Sequence, residues 1–230
     1  MDFVETPSVN FDDRKLSVSI LVMHYTGMAD AASAIERLTS ADGGVSAHYV
    51  VNEDGVVMRL VDEGKRAWHA GLSYWRGIRD VNSASIGIEI VNPGHEFGYR
   101  PFPADQIASV VRLASEIRKR HDIPRANVVG HSDIAPARKQ DPGELFPWDK
   151  LALLGISLPR PANATVDPGW SDSAFLLALE RFGYDVADKT AVVRAFQRRW
   201  RPDTINGVID GQCRAILLQL LLEREGGTAR

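Results

Sequence analysis

The 230-residue sequence has little cysteine and little net charge, and each scarcity excludes a class of protein. Its single cysteine, Cys213, excludes an internal disulfide framework and a zinc site built from thiolates. Any zinc must therefore be held by carboxylates and by some of the six histidines. The net charge of −3, from 27 basic and 30 acidic residues, excludes a nucleic-acid binder held by bulk positive charge.

The sequence also lacks long apolar runs and a recognisable secretory leader. No run approaches the roughly 18 apolar residues that a membrane-spanning helix needs, so we expect no membrane span. The first residues, Met1 to Glu5, lack the basic start and apolar stretch of a signal peptide. The sequence as given therefore predicts a cytoplasmic protein, or one of the cell envelope if a leader has been removed. Nothing in the pattern indicates an oligomeric state.

A proline-rich stretch separates two parts of different pattern. Residues 157–170 contain three prolines and a Pro-Gly pair, which predict a linker. Before it, over residues 1–156, strands alternate with helices and predict an α/β domain, a central mixed β-sheet flanked by helices. After it, over 171–230, three apolar stripes at helical spacing predict a small all-α domain of three helices. Cys213 falls in the third stripe and is predicted to be a core residue.

Two histidines stand at the carboxyl ends of apolar strands. His24 lies at the end of a predicted strand over 17–25, and His131 directly follows one over 126–130. The loop after His131 includes Asp133, Lys139 and Asp141 among its ionisable residues. A hydrolytic zinc needs about three protein ligands and one open position for water. From the residues alone, structural roles stay open, for the histidines as hydrogen-bonded residues and for Asp133 as a helix cap.

Five segments together resemble one family, the zinc-dependent N-acetylmuramoyl-L-alanine amidases, which are related to the peptidoglycan recognition proteins. In family order over roughly residues 16–156, they are VMHYTG (22–27), GVSAHYVVNEDG (44–55), AWHAG (67–71), SIGIEIVNPG (85–94) and VVGHSDIAPARKQDPG (128–143). The resemblance implies hydrolysis of the amide between the lactyl group of N-acetylmuramic acid and L-alanine, in peptidoglycan or muropeptides. The alternative is a non-catalytic protein that recognises peptidoglycan.

The resemblance also implies roles for individual residues. One zinc ion per chain would be bound by His24, His131 and Asp141. Glu89 would take a proton from the attacking water and return it to the leaving amine, while Lys139 would stabilise the oxyanion. Strand alternation supports the assignment of Glu89, because it places the carboxylate on the face opposite three isoleucines: Ile86, Ile88 and Ile90.

Substrate contacts are predicted at five positions. Tyr25 follows the first ligand, Trp68 and His69 belong to the AWHAG segment, and Trp75 and Arg76 follow in a glycine-bounded loop. That loop is alternatively an ordinary exposed one. For the other histidines, we predict a structural or supporting role at the site for His48 and surface positions for His95 and His121.

Two further features bear on the substrate. Amidases that act only on small anhydro-muropeptides often have Asn after the first ligand and basic residues in the hairpin turn, whereas this chain has Tyr25 and Asn52-Glu53. A narrow preference for anhydro-muropeptides is therefore not expected. The segments AVVRAFQRRW (191–200) and GVID (207–210) resemble a peptidoglycan-binding domain. The alternative is a helical cap that packs on the catalytic domain and binds nothing.

Overall fold

The computed structural model describes residues 2–161 and 164–226. In this part of the chain, eight strands are present: β1 (Val4–Glu5), β2 (Phe11–Asp13), β3 (Ile20–Tyr25), β4 (Tyr49–Val51), β5 (Val57–Arg59), β6 (Lys65–Ala67), β7 (Ser85–Ile90) and β8 (Val128–Gly130). Six of them form a central sheet in the order β1-β5-β4-β7-β3-β8, and β2 pairs with β6 separately. Within the central sheet only the β4–β5 hairpin is antiparallel.

Helices cover this sheet and continue beyond it. Those of the first part are α1 (Ala31–Thr39), α2 (Val81–Ala84), α3 (Gly94–Phe97), α4 (Ala104–His121), α5 (His131–Ile134) and α6 (Trp148–Leu153). Three follow near the carboxyl end: α7 (Asp172–Phe182), α8 (Lys189–Trp200) and α9 (Gly211–Gly226). Side-chain oxygens start several of them, as where Asp188 accepts from the Ala191 amide. The predicted mixed sheet with flanking helices and the three carboxyl-terminal helices are confirmed.

The central strands bring the predicted chemistry to one edge of the sheet. β3 pairs in parallel with both β7 and β8, and its residues Ile20 to Met23 are fully buried. The register places His24 beside Glu89, and Met23 beside Gly130, which precedes His131. Because carboxyl ends of parallel strands meet at one edge, three distant segments contribute to a single site.

The carboxyl-terminal helices pack directly on the α/β part. One hydrophobic cluster contains Val22 and Val129 from the sheet together with Phe175 and Phe196 from the helices. Leu158, in the predicted linker, is buried in the same cluster, so that segment begins as packed chain. Cys213 is buried there too, as predicted for a core residue. Among the described residues, no helix is long and apolar enough to cross a membrane.

Candidate metal centre and substrate cleft

The hydrogen bonds around His24 decide which of its ring nitrogens can bind a cation. Ser85 Oγ donates to the Val81 carbonyl at 2.6 Å, so it accepts from His69 Nε2 at 3.2 Å. His69 therefore carries its proton on Nε2, and its Nδ1 accepts from His24 Nε2 at 3.0 Å. These hydrogen bonds, from Ser85 through His69 to His24, leave the Nδ1 lone pair of His24 facing the site.

His131 is oriented by backbone groups. It begins α5 immediately after Gly130, the last residue of β8. Its Nε2 donates to the Ala70 carbonyl at 3.1 Å, so its Nδ1 also presents a lone pair to the site. The Asp133 carboxylate accepts from the Gly130 amide at 2.8 Å and closes the turn that carries this histidine.

Three acceptor atoms converge where these groups meet. His24 Nδ1 lies 2.9 Å from His131 Nδ1 and 3.1 Å from Asp141 Oδ2, and His131 Nδ1 lies 3.0 Å from the same oxygen. With both Nε2 atoms protonated, none of the three can donate to another, so the partner that fits them is a cation. Ligands roughly 2.0–2.1 Å from a tetrahedral metal lie about 3.3 Å apart, close to this spacing. These buried residues form a group that could hold one metal ion.

Electrostatics keep two members of the group, His24 and Asp141, in their metal-binding protonation states. Burial, and then the nearby His131, lowers the pKa of His24 to about 4. Burial alone would raise the pKa of Asp141, but His131 and His24 lower it below its ordinary value. At neutral pH His24 is therefore an uncharged imidazole and Asp141 an ionised carboxylate, so a metal need not displace protons from either.

Glu89 faces the same point from β7. Its Oε1 lies 4.0 Å from His24 Nδ1, and its side chain is only 13% exposed. Its Oε2 has no hydrogen-bond partner within the part of the chain that the structure describes. Burial, and then repulsion by Asp141, raises the pKa of Glu89 well above its ordinary value. A carboxyl group with an unpartnered oxygen beside a candidate metal group suits proton transfer.

A cavity of about 720 Å³ opens over the group and is lined by Glu89, His131 and Asp141. Lys139 lines it as well, from the loop between α5 and Asp141, where its amide donates to the Ala135 carbonyl at 3.0 Å. The cavity thus brings a carboxyl group, a cationic side chain and two of the three candidate metal ligands, His131 and Asp141, to one open space. That set can hydrolyse an amide or ester bond.

Comparison with known proteins decides the family. The sequence pattern of the family described as N-acetylmuramoyl-L-alanine amidase matches residues 14–144. The N-acetylmuramoyl-L-alanine amidase AmiD of Escherichia coli K12 is 38% identical over 91% of this chain and 84% of its own length. The chain belongs to the N-acetylmuramoyl-L-alanine amidase family. The resemblance seen in the five sequence segments is therefore confirmed, as is the prediction that the protein is an amidase enzyme.

Solved amidase structures match both parts of the chain. The complex of E. coli AmiD with anhydro-N-acetylmuramic acid-L-Ala-D-gamma-Glu-L-Lys superposes with a TM-score of 0.81 at 37% identity, covering 94% of this chain and 93% of that one. AmpDh3 of Pseudomonas aeruginosa with anhydromuramic pentapeptide gives 0.82 at 34% identity, covering 90% and 92%. At this coverage the matches include the carboxyl-terminal helices as well as the sheet.

Three of the five predicted substrate contacts line the amidase cavity: Tyr25, Trp68 and His69. Their contact with substrate stays a prediction. His69 is largely buried, and both of its ring nitrogens are engaged, by His24 and Ser85. The structure therefore gives it a second role, support of His24, a candidate metal ligand. His48 is fully buried, and its Nδ1 accepts from the Gly87 amide, in line with the predicted structural role.

The predictions for Trp75 and Arg76 are wrong. Trp75 is 1% exposed and packs edge-to-face against Phe182 and Tyr184 of the carboxyl-terminal part. Arg76 Nε donates to the Phe182 carbonyl at 3.0 Å, and neither residue lines the cavity. The loop that carries them joins the two parts, because the later helices cover it.

Sequence reasoning missed several polar residues of the cleft, among them Arg37, His95 and Arg138. His95, predicted as a surface residue, hydrogen-bonds Tyr25 at 2.9 Å through Nδ1 and pairs with Glu144 at 3.1 Å through Nε2. The available signal was proximity to the recognised segments, since His95 directly follows one and Arg138 lies within another. Arg37 is on α1, outside every segment, and had no such signal.

Proposed function

We propose that the protein is a zinc enzyme that hydrolyses the amide between the lactyl group of N-acetylmuramic acid and L-alanine. One observation carries the proposal: three convergent acceptor atoms lie beside the unpartnered carboxylate oxygen of Glu89, beneath an open cavity. Two imidazoles and a carboxylate are a ligand set that zinc accepts with a position left open. The substrate named in the AmiD complex contains the bond in question.

His24, His131 and Asp141 would hold the zinc ion. When bound, zinc supplies a Lewis acid that polarises the scissile carbonyl and makes water a nucleophile near neutral pH. Glu89 accepts the proton of the attacking water and delivers it to the departing amine of L-alanine. Lys139 places its ammonium near the carbonyl oxygen as negative charge develops there. These residue roles rest on their positions around one cavity.

The test replaces Glu89 by Gln and Lys139 by Ala, with Glu96→Gln, at another cavity-lining glutamate, as the control. We expect the first two variants to bind zinc like the parent and to lose about 10²- to 10⁴-fold in turnover, the scale of lost general acid–base or oxyanion stabilisation. Release of L-alanine amino termini gives turnover, and metal analysis gives zinc content. Near-normal turnover in either variant would contradict its assigned role.

We further propose that the cleft accepts both wall polymer and soluble muropeptides. The relatives bind anhydro-muropeptides in their crystals, while the carboxyl-terminal helices of this chain resemble a peptidoglycan-binding domain. In this proposal the chain consists of a catalytic domain over residues 1–156, a linker over 157–170 and a peptidoglycan-binding domain over 171–230. Rates measured separately on intact sacculi and on anhydro-muropeptides test it. A strong preference for the soluble substrate would favour a cytoplasmic recycling role, and a strong preference for sacculi a role in the envelope.

A further inference from the structure

A buried carboxylate, that of Asp133, lies at the junction between the metal centre and the carboxyl-terminal helices. Asp133 is 2% exposed and stands two residues after the ligand His131. Besides the Gly130 amide, it accepts from the Tyr184 hydroxyl at 2.6 Å and from Arg199 Nη1 at 3.2 Å. Both side-chain donors belong to the carboxyl-terminal part. Residues outside the sheet therefore hydrogen-bond to the turn that carries the proposed metal ligand His131.

Arg199, on α8, holds the chain on both sides of His131. Its Nη1 reaches Asp133, after the ligand, while its Nη2 donates to the Val128 carbonyl at 3.0 Å, before it. The guanidinium also lies over the Trp148 ring, 3.4 Å from its centroid. Such a planar fork makes several directed contacts at once, which a lysine ammonium cannot reproduce. The arginine therefore spans the strand end and the turn between which His131 is placed.

Tyr184 secures the other oxygen of the same carboxylate. It is fully buried, receives a hydrogen bond from Trp200 Nε1 at 3.2 Å, and packs on Trp75 with ring centroids 5.1 Å apart. The Asp133 carboxylate thus has a side-chain donor on each oxygen, Tyr184 on Oδ1 and Arg199 on Oδ2. Within the described residues Arg199 Nε has no hydrogen-bond partner, but both carboxylate oxygens are satisfied, and buried hydrogen bonds of this kind restrict the geometry of the groups they join.

We propose that Arg199 and Tyr184 are positioning residues for the metal ligand His131, so that the carboxyl-terminal helices complete the metal centre. This inference rests on the metal site of the proposed function. It assigns the helices a task that is independent of wall binding. A structural cap would only hold the two parts together. A positioning role requires that substitutions of Arg199 or Tyr184 alter metal coordination in a protein that remains folded.

The experiment compares Arg199→Lys and Tyr184→Phe with Arg194→Lys, a matched change at an exposed position of the same helix. Lysine keeps the positive charge beside Asp133, which avoids the large cost of an unpaired buried carboxylate. Zinc affinity is measured by competition with a chelator. The visible absorption of the cobalt(II)-loaded protein reports coordination geometry, and the melting temperature reports stability.

We expect Arg199→Lys to weaken zinc binding about tenfold and to change the cobalt spectrum, since groups that orient a metal ligand have effects of roughly 10- to 100-fold. Tyr184→Phe should give a smaller loss, and Arg194→Lys none. If Arg199→Lys does not fold, Tyr184→Phe decides. Parental zinc affinity and cobalt spectrum in the folded variants, with only a lower melting temperature, would overturn the inference. A parent protein that binds no zinc would overturn the proposed function as well.

Discussion

The two imidazoles proposed as metal ligands in this amidase are supported in different ways. His24 is oriented by a chain of side-chain hydrogen bonds, through His69 to Ser85, that stays within the α/β part. His131 is oriented by a backbone carbonyl and by a turn whose clamp, Arg199, lies 66 residues beyond Asp133. The difference teaches that the hydrogen bonds orienting His24 lie within the α/β part, whereas the proposed positioning of His131 also involves helices that pack onto it.

The largest effect should come from removing either ligand. His24→Ala and His131→Ala each take away one of three protein ligands, so both should weaken zinc binding by more than the roughly 100-fold upper limit seen for supporting residues. Chelator competition measures the loss, and His121→Ala, at a histidine paired with Glu63 outside the cavity, is the control. A variant that keeps parental affinity would show that the replaced histidine is not a ligand.

Removing the support of His24 should have an intermediate effect. His69→Ala takes away the acceptor of the His24 Nε2 proton, and we expect about 10- to 100-fold weaker zinc binding. A pure substrate contact would instead raise KM while zinc affinity stayed constant. Trp68→Phe, at the neighbouring cleft residue, provides the comparison, with parental zinc affinity expected. Unchanged zinc affinity in His69→Ala would mean that the two ligands do not differ in the way described.

The smallest effect should come from Ser85, the last residue in the series of hydrogen bonds that orients His24. Ser85→Ala leaves the His69 Nε2 proton without its acceptor, which costs roughly 1–3 kcal/mol of folding free energy for a buried donor. The imidazole of His69 remains, so zinc affinity should fall less than in His69→Ala. Denaturant unfolding and chelator competition measure the two quantities. A larger loss of zinc affinity from Ser85→Ala than from His69→Ala would show that the support does not run through His69.

The sheet and its active edge could be predicted from the sequence, because their signals are local. The apolar strand before His24 is contained in one short segment, and it is confirmed. The convergence of His24 and His131 followed from the family resemblance. Local pattern could not supply the partners of His69, since they depend on where the AWHAG segment crosses β7.

Gly87 illustrates that limit. A Cβ atom on Gly87 would lie 2.5 Å from Cγ of His69, so the bare backbone of β7 makes the space that the imidazole occupies. In the sequence, this residue reads only as a glycine within a strand. The prediction of substrate contacts at Trp75 and Arg76 was wrong for a related reason. Their loop has the composition of an exposed segment, and only the packing of Phe182 and Tyr184 onto it makes it an interior surface.

The ligand atoms come from residues as far apart as His24 and Asp141, which are separated by 117 positions along the chain. An unfolded chain does not hold such distant groups at one point, so a zinc ion bound there, as proposed, would bind the native state in preference to the unfolded one. Free zinc at 100 times its dissociation constant would then stabilise the fold by about 2.7 kcal/mol. With zinc bound as proposed, the resistance of this amidase to unfolding would depend in part on the zinc concentration of its surroundings.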